Sequence, residues 1–138
     1  VAQRLDGEGQ RYSTGRRRLV DGLAAADRPV TIPELLESLP EVAQSSAYRN
    51  LSVLEQVGVV SRIVTFGEHA RFELAEDLMG HHHHLICTSC GRVEDFTVPD
   101  TVERTVDSAM ASVVAPTGFA PTAHRLDLLG ICRSCQQG

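Results

Sequence analysis

Apolar residues recur at helical spacing three times within the first sixty positions, after which the pattern changes to alternation. Leu19, Val20, Leu23 and Ala24 form one stripe and predict a helix over about 14–26, with Thr14 as N-cap and Pro29 beyond its end. Thr31 followed by Glu34 has capping-box spacing, and Pro33 is tolerated in a first turn. A second helix is therefore expected over about 32–39, ended by Pro40. Ala47, Leu51 and Leu54 stand at i, i+4 and i+7 and predict a third over about 46–57, capped by Ser45 or Ser46 and terminated by Gly58. Ser45, Tyr48, Arg49 and Ser52 fall on its opposite, polar face. The segments VVSRIVTF (59–66) and HARFEL (69–74) then alternate and predict a hairpin joined through Gly67 and Glu68. Three helices and a hairpin in this order describe a winged helix-turn-helix.

The rest of the chain has a different rhythm. Residues 1–10 lack periodicity and are expected to be a flexible tail, and 75–80 (AEDLMG) a linker or hinge. Strands are expected around 84–87 and 92–97, followed by a helix over about 99–114 with Val102, Val106, Ala109, Met110 and Val113 on one face. A last strand is expected over 124–132. The fold class is thus α+β: a winged-helix domain over 11–74 followed by a small α/β domain over 81–138.

Charge changes this picture through its distribution. The 138 residues carry a formal charge of −5. Residues 1–71 hold nine Arg against nine acidic residues, whereas 72–138 hold four Arg against nine. Arg11, Arg16, Arg17 and Arg18 cluster at the first helix, as suits a nucleic-acid reader followed by an acidic, ligand-rich half. No apolar run is long enough to span a bilayer and no signal segment opens the chain, so a cytoplasmic protein is expected, with no membrane partner.

Two constellations carry metal chemistry. Cys87 and Cys90 form one CxxC pair, Cys132 and Cys135 another, separated by 41 residues. Each pair puts two thiolates on one tight turn, and together they complete a tetrahedron for a structural Zn2+, in preference to a redox pair or disulfides. The second constellation is His81, His82, His83 and His84. Terminal position and length distinguish an expression tag from this internal run of four. In an extended strand His81 and His83 face one way, His82 and His84 the other, so one segment can serve two sites. Glu103 and His124 are natural partners for one face. Glu73, with His69 on the same hairpin strand, could serve the other, although residues four apart lie about 13 Å apart in a regular strand. Imidazole donors suit several metals, so the cluster alone names none. The polar face of the third helix is the third feature: its second-helix position in a helix-turn-helix assigns Tyr48 and Arg49, flanked by Ser45 and Ser52, to the major groove, with Arg11 and Arg17 nearby.

These residues resemble the ferric uptake regulator (Fur) family of bacterial repressors. HHHHLICTSCGRVEDF is similar to its histidine cluster and first zinc knuckle, and HRLDLLGICRSC to its closing strand and second knuckle. SSAYRNLSVLEQVGVV resembles the recognition helix, with Ala47-Tyr48-Arg49 where the family carries Val-Tyr-Arg, and TGRRRLV resembles the first helix, with Arg17 at its usual basic position. The resemblance runs from about residue 11 to 135. It implies a homodimer, paired through the second domain, that binds palindromic operator DNA when a sensory metal is present. It also implies three sites: structural zinc at Cys87, Cys90, Cys132 and Cys135; a dimerisation-domain site at His81, His83, Glu103 and His124; and an interdomain sensory site including His82, His84 and Glu73.

Two departures stand out. Many members place a sensory His before the second helix, where this chain reads Asp27-Arg28-Pro29-Val30. Zinc-sensing members carry a Cys and an Asp where it has Ala75 and Ser61. His69 is the candidate for the missing ligand. The expected function is a metal-dependent repressor of metal-uptake genes, with no enzymatic activity and no small organic substrate. Its cofactors would be structural Zn2+ and a second regulatory divalent ion, Zn2+ slightly ahead of Fe2+, with Mn2+ or Ni2+ not excluded. The alternatives are an iron-dependent peroxide sensor of the same family and a structural zinc protein that binds DNA constitutively. A metallohydrolase would need an open metal position and a general base, for which Glu103 is the one evident candidate.

Overall fold

The computed structural model describes residues 1–67 and 69–138. The expected helix-turn-helix is present: α1 (Ala2–Gly7), α2 (Thr14–Ala25), α3 (Ile32–Glu37) and α4 (Gln44–Gln56) precede the hairpin strands β1 (Val60–Ile63) and β2 (Arg71–Leu74). The capping box of α3 forms as its spacing requires. The Thr31 hydroxyl accepts from the Glu34 backbone N–H, and the Glu34 carboxylate reaches back to the Thr31 N–H. Leu19, Leu23, Leu35, Ala47, Leu51, Leu54 and Phe72 close one core beneath the hairpin, and a bridge between Val30 and Phe72 fixes the hairpin to the start of α3.

Several local expectations need correction. The N-cap of α2 is Ser13, whose hydroxyl accepts from the Arg16 backbone N–H, and not Thr14, which is the first helical residue. The tail is helical through residue 7, because Leu5 is fully buried in the core and Arg4 donates to the Gly58 carbonyl and pairs with Asp77. One buried side chain in a six-residue helix leaves no periodicity to read. The third predicted helix, α4, starts at Gln44 with Ala43 as N-cap, so no serine caps it; the Ser46 hydroxyl instead accepts from Asn50. The hairpin strands end at Ile63 and begin again at Arg71, so the chain between them is a longer loop. The expected turn through Gly67 and Glu68 falls partly outside the described residues. The hinge 75–80 contains a single helical turn, α5 (Glu76–Met79), which ends at Gly80 with φ +97°.

The C-terminal half holds a three-stranded sheet in the order β4 (Val93–Phe96), β3 (His83–Cys87), β5 (Asp127–Gly130), antiparallel between β3 and β4 and parallel between β3 and β5. The crossover carries α6 (Asp100–Val114) and a short 3-10 turn. The final strand, expected over 124–132, covers only Asp127–Gly130, where it pairs with β3, and α7 (Arg133–Gln137) follows Cys132. The apolar stripe on α6 does not meet a core within this chain: Met110 is 47% and Val113 67% exposed, as are Leu128 (51%) and Leu129 (59%) on β5. Exposed apolar side chains in this number are a common feature of association surfaces. Ile63, Ile86 and Val93 form a small buried cluster where the hairpin meets the sheet. No described helix is long and apolar enough to cross a membrane.

Candidate metal centres and reader helix

Parallel pairing of β3 with β5 sets Cys87 beside Gly130, so the chain enters the second knuckle directly over the first. Gly91 turns the first knuckle with φ +79°. The Cys132 and Cys90 backbone N–H groups both donate to Cys87 Sγ, at 3.3 and 3.5 Å. Those two donors hold the Cys87 thiol down to about 6. The Cys135 thiol is drawn down by the Ser89 hydroxyl but, against that, is pushed up to about 11 by the sulfurs of Cys132 and Cys90. Sulfur donors from all four residues lie within 4.8 Å of one another. Such crowding opposes a fourth thiolate without a cation, and the arrangement fits a tetrahedral, closed Zn2+ site.

The histidine run sorts as strand alternation requires. On one face, His83 Nε2 donates to Glu103 Oε1 at 2.6 Å, while His81 Nε2 and His124 Nε2 both face Glu103 Oε2, at 3.1 and 2.7 Å. His124 Nδ1 also meets Asp107 at 2.8 Å, and that bond leads the causes that raise its pKa. His83 Nδ1 is buried without a hydrogen-bond partner. His81, His83, Glu103 and His124 thus gather around one point.

On the other face, His82 Nε2 and His84 Nε2 both donate to Glu73 Oε1, at 2.9 and 2.8 Å. The fourth member is Asp95, not His69. Asp95 is the direct cross-strand partner of His84, and its Oδ1 lies 3.5 Å from His84 Nε2. His69 precedes β2, is exposed, and lines a pocket with Tyr48, Ser52 and Arg62 beside α4. The expectation for His69 failed because β2 starts two residues later than the alternation suggested. Asp95 was legible only through the register of two strands, which alternation within one segment does not give.

The electrostatics of this group call for a cation. Burial opposes a charge on Glu73, yet the hydrogen bonds from His84 and His82 prevail and lower its pKa. Burial, then the Glu73 charge, pushes Asp95 up to about 6. Glu73 Oε2 and Asp95 Oδ1 are buried with no hydrogen-bond partner. Two carboxylates, each with one orphaned oxygen, and two imidazoles, with a donor atom from each residue within 4.8 Å of the others, fit a divalent ion. The set spans both halves of the molecule: Glu73 stands on the hairpin, His84 and Asp95 on the sheet, and His82 immediately before β3.

On the reader side, Ser45, Tyr48, Arg49 and Ser52 all lie on the exposed face of α4. Arg16 is not free for a ligand: it donates to Asn50 Oδ1 at 2.9 Å and to the Arg11 carbonyl at 2.7 Å, locking α2 against α4. Arg17 is exposed and stacks over the Tyr12 ring at 4.1 Å, and Arg11 is exposed.

Comparison with known proteins agrees with this architecture. Residues 7–129 match the sequence model of the ferric uptake regulator family. A ferric uptake regulation protein of Legionella pneumophila is 38% identical over 102 residues, covering 74% of this chain and 70% of that protein. The peroxide-responsive repressor PerR of Staphylococcus saprophyticus is 28% identical over 138 residues, covering 96% and 86%. Among solved structures, the Helicobacter pylori regulator Fur, described with three functional metal-binding sites, superposes with a TM-score of 0.74 at 25% identity, covering 97% of this chain and 87% of that one. Vibrio cholerae Fur, described with a structural rearrangement of its DNA-binding domains, gives 0.72 at 27%, covering 94% and 98%.

Proposed function

Since the chain belongs to the ferric uptake regulator family, we propose that it is a metal-dependent transcriptional repressor whose sensory ion is held by Glu73, His82, His84 and Asp95. The observation that carries this reading is the placement of those four donors, one on the wing and three in the C-terminal half, with two carboxylate oxygens left orphaned. A divalent ion there supplies the charge that lets both carboxylates ionise and joins the two halves. Residues 11–74 then act as the reader, 75–80 as the hinge and 81–138 as the dimerisation domain. The four cysteines hold a structural Zn2+, and His81, His83, Glu103 and His124 a site of their own within the dimerisation domain. A second copy of the chain covers exposed apolar side chains of α6 and β5, setting the two α4 helices to enter successive major grooves about 34 Å apart. Two imidazoles and two carboxylates, with no thiolate, suit Zn2+, Fe2+ or Mn2+. Four protein donors in each group leave no open position of the kind a hydrolytic zinc site keeps, which supports regulation over catalysis.

The test starts from duplexes selected out of a randomised pool by metal-loaded protein. Arg49→Ala and Tyr48→Ala are expected to weaken binding to the selected duplex, by about 1–3 kcal/mol per half-site for a lost Arg–guanine contact. Fluorescence anisotropy reads the affinity, while metal content and dimer mass stay unchanged. Wild-type affinity in both variants would remove α4 as the reader.

The match to a peroxide-responsive repressor along nearly the whole chain supports a second reading, in which iron in the same site senses peroxide. Hydrogen peroxide would then add one oxygen to His82 or His84 in Fe2+-loaded but not Mn2+-loaded protein, as read by peptide mass spectrometry. Unmodified histidines and retained DNA binding would leave the metal-uptake reading alone.

A further inference from the structure

The wing touches the C-terminal half at a second place, one with no metal donors of its own. Arg71 and Glu73 are two apart on β2 and point to the same side, toward the C-terminal half, while Phe72 and Leu74 face the reader core. Arg71 is buried, and its guanidinium has partners on both sides of the hinge. Nε donates to the Gly91 carbonyl at 2.7 Å, immediately after Cys90 in the first knuckle. Nη1 donates to Glu34 Oε1 at 3.0 Å, the same carboxylate that completes the capping box of α3 and accepts from Arg28 at 2.7 Å. The wing loop seats on the same spot. The Thr65 hydroxyl donates to the Gly91 carbonyl at 3.1 Å, and a Cβ built on Gly91 would stand 2.5 Å from Gly67 N and 2.6 Å from Gly67 Cα. Glycine at 91 is therefore required by close approach as well as by its positive φ.

We propose that Arg71 is a positioning residue: a second joint, independent of the sensory ion, that ties the first cysteine knuckle to the helix-turn-helix through Glu34. The inference rests on the metal-dependent reading above. One bridged point between two bodies leaves them free to rotate about it, whereas two points remove most of that freedom. The donors around Glu73 supply the first point. Arg71 supplies the second, and its planar fork suits two fixed acceptors in different directions. A guanidinium this buried keeps its charge partnered only while Gly91 and Glu34 stay in place. The orientation of the knuckle is thereby passed to α3, which packs on α4. Metal bound at Glu73, His82, His84 and Asp95, acting together with the Arg71 joint, then sets the relative rotation of the two bodies.

Arg71→Met, which keeps the aliphatic stem, separates positioning from metal binding. The expected result is Zn2+ affinity at the Glu73 group within about threefold of wild type and unchanged dimer mass, but a metal-dependent gain in affinity for the selected duplex reduced roughly 3- to 30-fold. Without DNA, residual dipolar couplings of the Zn2+-loaded protein should need separate alignment tensors for 14–74 and 83–130 in Arg71→Met, against one shared tensor in wild type. One shared tensor in Arg71→Met would overturn the joint. Should that variant fail to fold, Glu34→Gln decides. Its amide still serves the capping box but accepts from Arg71 without charge, so the metal-dependent gain should fall severalfold at wild-type helix content, and an undiminished gain would overturn the proposal. Absence of any metal-dependent gain in the wild type would sink the functional reading, while the tensors still judge the joint.

Discussion

Cys90→Ser is expected to cost the protein its folded C-terminal half. The sheet has little apolar material of its own: Val93 is fully buried, Ile86 nearly so, and the residues along α6 and β5 are mostly exposed within one chain. Closure therefore falls to the knuckles. Binding free energy for a four-thiolate Zn2+ site is on the order of 10 kcal/mol and counts as folding free energy where no site exists in the unfolded chain. That exceeds half the total stability of most domains of this size. Cys90 also leads into Gly91, whose carbonyl receives Arg71 and Thr65, so the wing should loosen with the knuckle. Calorimetry should show the main transition moved far down or lost, and sedimentation should show monomer or aggregate. Retention of the wild-type melting temperature and dimer mass would remove the structural-zinc assignment.

The second large effect is expected from Glu73→Ala. It deletes the one donor that the reader contributes to the interdomain group, so His82, His84 and Asp95 could still hold an ion without bridging the halves. Metal-dependent binding to the selected duplex should vanish, while dimer mass and zinc at the cysteines remain. Asp95→Ala should weaken metal binding by itself, since its donor lies on the sheet. Glu103→Ala, on the opposite face of the histidine run, should shift the metal concentration required or modestly loosen the complex. Equal and complete loss in Glu73→Ala and Glu103→Ala would show that the two faces do not divide the work. An unchanged metal response in Glu73→Ala would take the hairpin out of the site.

What could be read from the sequence was what local geometry determines. The capping box at Thr31 and Glu34, the two CxxC turns and the sorting of four consecutive histidines each depend on residues a few positions apart, and each formed as its spacing implied. What escaped needed contacts between distant segments. Asp95 joins the histidines because β4 pairs with β3 in a register that sets it opposite His84, and one segment's alternation cannot supply a register. His69 drew attention because it continues the alternation of HARFEL, but pairing begins only at Arg71, and the loop carries His69 to the reader side. Leu5 and Arg4 make α1 part of the fold through single long-range contacts. The stripe on α6 is apolar as its spacing implied, yet within the described residues it meets no core.

In the proposed function, metal raises DNA affinity by favouring the closed arrangement of reader and dimerisation domain. Thermodynamic linkage makes it testable with one protein and one duplex: whatever factor the ion adds to DNA affinity, the duplex must add to metal affinity. The decisive measurement is the affinity of the wild-type dimer for the sensory metal, by chelator competition, with and without saturating selected duplex. It is set beside duplex affinity with and without that metal, at one salt concentration. Equal factors are expected in the two directions for the wild type, and a factor of one in both for Glu73→Ala. Duplex binding that is equally tight in chelator and in metal, with the structural zinc still in place, would contradict it and leave a constitutive DNA-binding zinc protein.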